Sequence, residues 1–188
     1  MPHQDDVCST VAEIIRDRSA SGRLIPSAEI LADLRVRGVL ESDPADPPLD
    51  LDVIAARALD ENDDLRRLDG REGISFYYSV QSLTESYAQI LVWKSEHPLR
   101  LIAEVVRDNS IRYRRPFPAD GFREPPFDLT REEIAACLIA PETDDEYGDI
   151  AQITSTHGTP FLYSTKHLDP DHACMLADRL DGGLAENP

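Results

Sequence analysis

Apolar residues recur along this chain at two periods, and the switches between them divide it into short elements. Val7, Val11, Ile14 and Ile15 share one helical face, as do Tyr87, Ile90 and Leu91, with Lys94 able to lay its stem along the same stripe. A short link, "GRLIP" or "HPLRLI", leads from each stretch to a second helical run, carrying Ile30, Leu31 and Leu34 or Ile102, Val105 and Val106. Ser27, following Pro26, is placed to cap the first of these second helices. The proline-rich stretches "ESDPADPP" and "RPFPADGFREPP" read as linkers, because proline lacks an N–H and clashes with the preceding turn. A third helix follows each linker. In one, Leu51, Ile54, Ala55, Ala58 and Leu59 make the stripe; in the other, Thr130 and Glu133 form a capping box ahead of Ile134, Cys137 and Leu138. The period then falls to two in the Gly-punctuated hairpins "RLDGREGISFYYS" and "GDIAQITSTHGTPFLYST", the latter turning at His157-Gly158. Alternation predicts that Phe76 and Tyr78, or Phe161 and Tyr163, face the core, and that Tyr77 and Leu162 point outward.

These elements occur twice because the sequence repeats. Phe76-Tyr77-Tyr78-Ser79 aligns with Phe161-Leu162-Tyr163-Ser164, and without a gap Leu83 then meets Leu168, Tyr87 meets His172, Ala88 meets Ala173 and Leu91 meets Leu176. Upstream, Pro47-Pro48-Leu49-Asp50-Leu51 answers Pro125-Pro126-Phe127-Asp128-Leu129, and Arg23-Leu24-Ile25 answers Arg100-Leu101-Ile102. The second copy is longer by a short insertion, placed in "APETDDEYGD". The helix "VAEII" finds counterparts in "YAQIL" and "HACML", which predicts two full units, over 1–82 and 83–188, and a final helix that begins a third.

Helix, short strand, helix, helix, hairpin: this order resembles the winged-helix superfamily. The resemblance implies a mainly α fold with small β wings, here two tandem winged-helix units plus a C-terminal helix. It further implies a three-helix core that in many members binds DNA through the third helix and in others binds only proteins. Tandem acidic winged helices are similar to accessory subunits of chromosome-segregation and transcription complexes, which act by protein contact.

Charge separates those two uses. The formal net charge is −17, with 36 acidic against 19 basic side chains, and no segment of domain size is basic. Such a field repels polyphosphate and anionic membrane and attracts basic partners, or it serves solubility alone. The third helices would present Asp50, Asp52, Arg57, Asp60, Glu61, Asp63 and Asp64 in one copy and Asp128, Arg131, Glu132 and Glu133 in the other, which opposes docking on phosphate.

A single window is basic. "VRDNSIRYRRPFPADGFR" gathers Arg107, Arg112, Arg114, Arg115 and Arg123, with Tyr113, Phe117 and Phe122 interleaved. These residues are either a contact surface for phosphate or an acidic protein segment, or they pair with the molecule's own carboxylates.

Candidate chemistry adds little. "HLDPDHAC" brings together His167, Asp169, Asp171, His172 and Cys174, but the spacing fits no zinc signature, and the repeat puts Tyr87 and Gln89 opposite His172 and Cys174. A packing role for His172 follows. No phosphate loop, nucleophile elbow or metalloprotease motif occurs, so no catalytic residue, cofactor or metal is expected. Cys8, Cys137 and Cys174 form no CxxC and suit reduced, buried thiols; with no signal-peptide pattern and no apolar run near about 18 residues, a cytoplasmic protein is expected. The resulting expectation is a non-enzymatic adaptor with a basic or apolar protein partner and no membrane association, of open oligomeric state. The alternative is a transcriptional regulator touching DNA through the arginine loop.

Overall fold

The computed structural model describes residues 4–39, 51–139 and 146–185. The chain forms two compact units, Met1–Val92 and Trp93–Pro188. The first contains α1 (Gln4–Ala20), β1 (Ile25–Pro26), α2 (Ser27–Val36), α3 (Leu51–Glu61), β2 (Leu65–Asp69), β3 (Ser75–Ser79) and most of α4 (Glu85–Glu96). Beyond it come α5 (Pro98–Asp108), β4 (Phe117–Pro118), a 3₁₀ turn over Ala119–Arg123, α6 (Arg131–Ile139), β5 (Ile150–Thr154), β6 (Pro160–Ser164) and α7 (Pro170–Ala185). Each unit is thus mixed α/β, with a three-stranded antiparallel sheet ordered β1-β3-β2 or β4-β6-β5. Among the described residues no helix is long and apolar enough to cross a membrane.

The two units share one element order, but the repeat is phased differently from the sequence expectation. The helix expected to open the second unit, around Tyr87, instead closes the first: Tyr87, Ala88 and Leu91 pack with Tyr78 and Leu83. The run carrying Ile102, Val105 and Val106, expected as a second helix, is α5 and opens the second unit. Likewise α7 closes that unit and begins no third. The stretch "RPFPADGFREPP", expected as a linker, supplies β4 and a 3₁₀ turn in the places of β1 and α2. Pairing fixes the equivalence: Ile25 lies opposite Tyr77 and Pro26 opposite Phe76, as Phe117 lies opposite Leu162 and Pro118 opposite Phe161. A stronger signal for this phase was present in "VAEIIRDRS" from Val11 and "IAEVVRDNS" from Ile102, which share Ala, Glu, Arg, Asp and Ser in register.

Packing explains why the middle strand defied alternation. Tyr77 enters the main core of the first unit with Val11, Ile14 and Ile15 of α1, Ile30 and Leu34 of α2, and Ile54 and Ala58 of α3. Tyr78 faces the other way, beneath α4. With helices over both faces, every residue of β3 is buried, as are Phe161, Leu162 and Tyr163 of β6. Tyr77 and Leu162 therefore do not point outward; each such side chain withdrawn from water stabilises the fold by roughly 1.5–3 kcal/mol.

Helix ends follow local chemistry. The Thr130–Glu133 capping box forms: the Thr130 N–H donates to Glu133 Oε2 at 2.8 Å, and the Glu133 N–H to Thr130 Oγ1 at 3.2 Å. Ser27 is not a cap, because α2 already includes it and Pro26 occupies the preceding position. The prolines Pro47 and Pro48, Asp50, and most of "APETDDEYGD" lie outside the described residues.

Candidate functional site

The duplicated helix α1/α5 places one arginine and one serine where they meet the hairpin. In the first unit Arg16 donates through Nε to Asp64 Oδ2 at 3.0 Å and through Nη2 to Oδ1 at 2.6 Å. Ser79 Oγ donates to Asp64 Oδ2 at 2.7 Å, while the Ser79 N–H donates to Ser19 Oγ at 2.9 Å. The second unit repeats the set: Arg107 holds both oxygens of Asp149, Ser164 Oγ donates to Asp149 Oδ2 at 2.7 Å, and the Ser164 N–H reaches Ser110 Oγ at 3.0 Å. A two-pronged guanidinium–carboxylate pair of this kind fixes geometry as well as charge. It anchors the end of the middle strand to the opening helix.

Protonation states agree with a structural lock. The Arg16 hydrogen bond lowers the Asp64 carboxyl to about 2 against partial burial, with Ser79 assisting. For Asp149 burial opposes the charge, yet hydrogen bonds from Arg107 and Ser164 and the charges of Arg107 and Lys166 hold it well below the usual carboxylate range. Both carboxyls are thereby held ionised near neutrality. Arg107, expected on a contact surface, is thus largely consumed in this lock and also donates to the Glu146 carbonyl at 2.7 Å. Asp64, expected among solvated third-helix acids, is consumed likewise.

Other members of the basic window separate in space. Phe122 is fully buried, and Phe117 is half-buried and lines a groove beside α7, their ring centroids 4.7 Å apart and both rings packed against Phe127. Gly121 packs closely beside them, since a Cβ there would meet the Phe117 ring at 3.0 Å and push it aside. Arg112 pairs with Asp108 at 2.6 Å one turn earlier, and Arg123 stands 4.0 Å from Asp120.

Three residues remain together: Tyr113, Arg114 and Arg115. Between Ser110 and Phe117 the chain holds one residue more than between Ser19 and Ile25. The extra residue is absorbed as a π-helical turn over Asn109–Tyr113, ended by Arg114 in the left-handed region at φ 50°. Gly22, at φ 73°, occupies that place in the first unit. The Arg115 guanidinium lies over the Tyr113 ring at 5.1 Å, and Arg114 donates to the His167 carbonyl at 3.4 Å. This loop and one face of α7, with Leu176, Arg179, Leu180 and Gly183, border a groove of about 620 Å³ reaching Phe161.

At the equivalent place of the first unit Leu24 and Leu91 pack with Tyr78 and Leu83. Their counterparts Pro116 and Leu176 line the groove instead. Sequence reasoning missed Arg179, Leu180 and Gly183 because α7 was taken for an unfinished repeat. The available signal was their spacing, since residues 176, 179, 180 and 183 share one helical face.

The "HLDPDHAC" cluster resolves into capping. Asp169 Oδ1 accepts from the Asp171 N–H at 3.0 Å and the His172 N–H at 3.3 Å, opening α7 as Thr84 opens α4. His172 is exposed and does not take the packing role of Tyr87; Cys174 is exposed as well, unlike Cys8 and Cys137. Among the described residues, no three His, Cys, Asp or Glu side chains are grouped to hold a metal ion.

The fold and groove define a protein of two α/β units related by internal duplication, the second carrying an arginine-rimmed groove. Residues 95–183 match the family model described as the YdhW C-terminal domain, a span running from the end of α4 through most of α7. The chain is also similar to the "Uncharacterized protein YdhW" of Escherichia coli (strain K12), at 28% identity over 181 residues that cover 95% of this chain and 80% of that protein. No solved structure matches.

Proposed function

We propose that this chain is a non-enzymatic adaptor of two tandem winged-helix units, which acts by contact with a protein partner of basic or apolar surface. The small antiparallel sheet of each unit and the element order of the first support the winged-helix resemblance, with a 3₁₀ turn standing for the second helix in the other unit. The observation that carries the choice of partner is the exposed side of the third helices. On α3 it presents Asp52, Asp60 and Glu61, and on α6 Glu132 and Glu133 beside Arg131. Phosphate facing those carboxylates would be repelled, whereas a basic protein surface is attracted. The non-enzymatic reading is supported by the carboxylates with shifted protonation among the described residues: Asp64, Glu133, Asp149 and Asp181 are all lowered and tied to arginine, backbone N–H or hydroxyl donors, so none of the four is raised toward neutral pH.

A regulator reading DNA through the arginine loop is the second possibility, favoured by exposed Arg114 and Arg115. It is weakened because Arg112 and Arg123 already face carboxylates of their own unit. The test is retention of partners by immobilised protein from the source cell at about 0.15 M salt, comparing wild type with Asp60→Lys/Glu61→Lys. The adaptor reading expects a protein with a basic or apolar surface to be held by the wild type and lost by the variant. Retention of nucleic acid alone contradicts it.

A further inference from the structure

We infer that the groove of the second unit binds a small organic acid: one carboxylate held by arginine, on an apolar body that lies against Phe117, Leu176 and Leu180. This goes beyond the adaptor reading and does not depend on it, because it concerns one unit and a ligand rather than a partner.

Four independent features converge on the groove. First, Arg114, Arg115 and Arg179 border it, and among the described residues none of the three forms an ion pair with a carboxylate. In a chain with 36 acidic side chains against 19 basic ones, three arginines left together without a carboxylate partner among the described residues are available to an anion from outside. Nearby acids are committed elsewhere: Asp178 accepts from the Thr156 N–H at 2.7 Å, and Asp181 accepts from Thr159 Oγ1 at 3.0 Å and from Ser155. Second, the backbone is bent to present Arg114. A π-helical turn and a left-handed arginine stand where the sister unit uses plain helix and glycine, and departures of both kinds concentrate at binding sites. Third, the Arg115 guanidinium lies over the Tyr113 ring at 5.1 Å, a contact that restrains the side chain beside the groove while leaving its N–H donors for a carboxylate. Fourth, Gly183 sits in the wall within α7, and an added Cβ would meet nothing within 4 Å, so no packing inside the chain requires glycine there. The room it leaves is outside the protein's own core.

Size and field select the ligand class. About 620 Å³ falls within the range of small-molecule sites, and the apolar lining suits an aromatic or short aliphatic body. A macromolecule bearing many negative charges would meet the repulsion of the −17 chain in full, whereas a monoanion meets it only once. An acidic peptide is therefore the disfavoured occupant.

The direct experiment is calorimetric titration of the full chain with octanoate and with naphthalene-1-acetate at low salt, using 1-octanol as the uncharged control. At least one acid is expected to bind one to one with a Kd below about 1 mM, and octanol at least about tenfold more weakly. Arg114→Ala/Arg179→Ala should weaken the acid by at least about tenfold, toward the affinity of octanol. Gly183→Leu, which favours helix and projects into the groove, should abolish binding while thermal stability is kept or raised. Absence of binding by both acids overturns the proposal, and so does equal binding of octanol. Binding of a phenylalanine-containing poly-glutamate peptide with no binding of either acid also overturns it and would assign the groove to a macromolecular partner. Undiminished binding in both variants would place the acid elsewhere and overturn it too.

Discussion

Asp149 is gripped by Arg107 through both carboxylate oxygens, and Asp64 is gripped by Arg16 in the same manner at the equivalent place of the first unit. The environments differ. The side chains of Arg107 and Asp149 are 17% and 2% exposed, against 39% and 11% for Arg16 and Asp64. Removing a carboxylate leaves a buried cation in one unit and a partly solvated one in the other. Asp149→Asn should therefore lower stability by about 3 kcal/mol, and Asp64→Asn by about 1–2 kcal/mol, measured by urea unfolding. Equal small losses in both variants would deny the lock its role.

Acid should dissolve these locks in a defined direction. Both carboxyls are depressed in the folded chain, so their contribution is complete above the ordinary carboxylate value of about 4 and is lost as pH falls through the folded value. For Asp64 that value is about 2, and Asp149 is likewise held well below the usual carboxylate range. The stability difference between wild type and Asp64→Asn should be constant from pH 7 to about 5 and shrink toward pH 2. Thermal unfolding across that range checks it, and a difference that grows on acidification would refute the assignment.

Much of the architecture was legible in residue pattern, and the failures have physical causes. Stripes such as Leu51, Ile54, Ala55 and Ala58 marked helices because one buried face dictates spacing, and the Thr130–Glu133 box marked a helix start because its atoms close locally. The phase of the repeat was lost because "VAEII", "YAQIL" and "HACML" look alike for a general reason, that any helix covering a sheet needs such a stripe. The less hydrophobic "RDRS" and "RDNS" that follow carry the true equivalence, through Arg16 and Arg107. Composition cannot distinguish an arginine locked beneath a hairpin, such as Arg107, from one at a groove, such as Arg114. The burial of Phe122 was hidden for a related reason: a proline-rich stretch concealed β4 and a 3₁₀ turn.

Backbone strain at Arg114 gives a separate expectation. A left-handed non-glycine residue is disfavoured by about 1 kcal/mol, partly offset when glycine's own flexibility is introduced. Arg114→Gly should raise stability by about 0.5 kcal/mol, and Gly22→Ala in the sister position should lower it by about 1 kcal/mol. Denaturant midpoints of the two variants should move in opposite directions; movement of Arg114→Gly to lower denaturant would contradict the strain at that residue.

Thiol reactivity should distinguish the three cysteines. Burial, with the Glu133 charge, pushes the Cys137 thiol up to about 11, and Cys8 is buried, whereas Cys174 is exposed on α7. Folded protein titrated with a disulfide reagent near neutral pH should show a single fast equivalent, absent from Cys174→Ser. Three fast equivalents would contradict the packing of α1 and α6.

The central claim is that the molecule works through protein rather than nucleic-acid contact, and fluorescence anisotropy of labelled duplex tests it most directly. At about 0.15 M salt, where screening beyond roughly 8 Å still leaves neighbouring carboxylates effective, the wild type should bind neither random duplex nor fragments of the source genome at micromolar protein. The variant carrying Arg112, Arg114 and Arg115 all changed to Glu should behave identically toward DNA. Tight binding of a particular duplex by the wild type, abolished in that variant, would contradict the account and make the arginine loop a DNA-reading element.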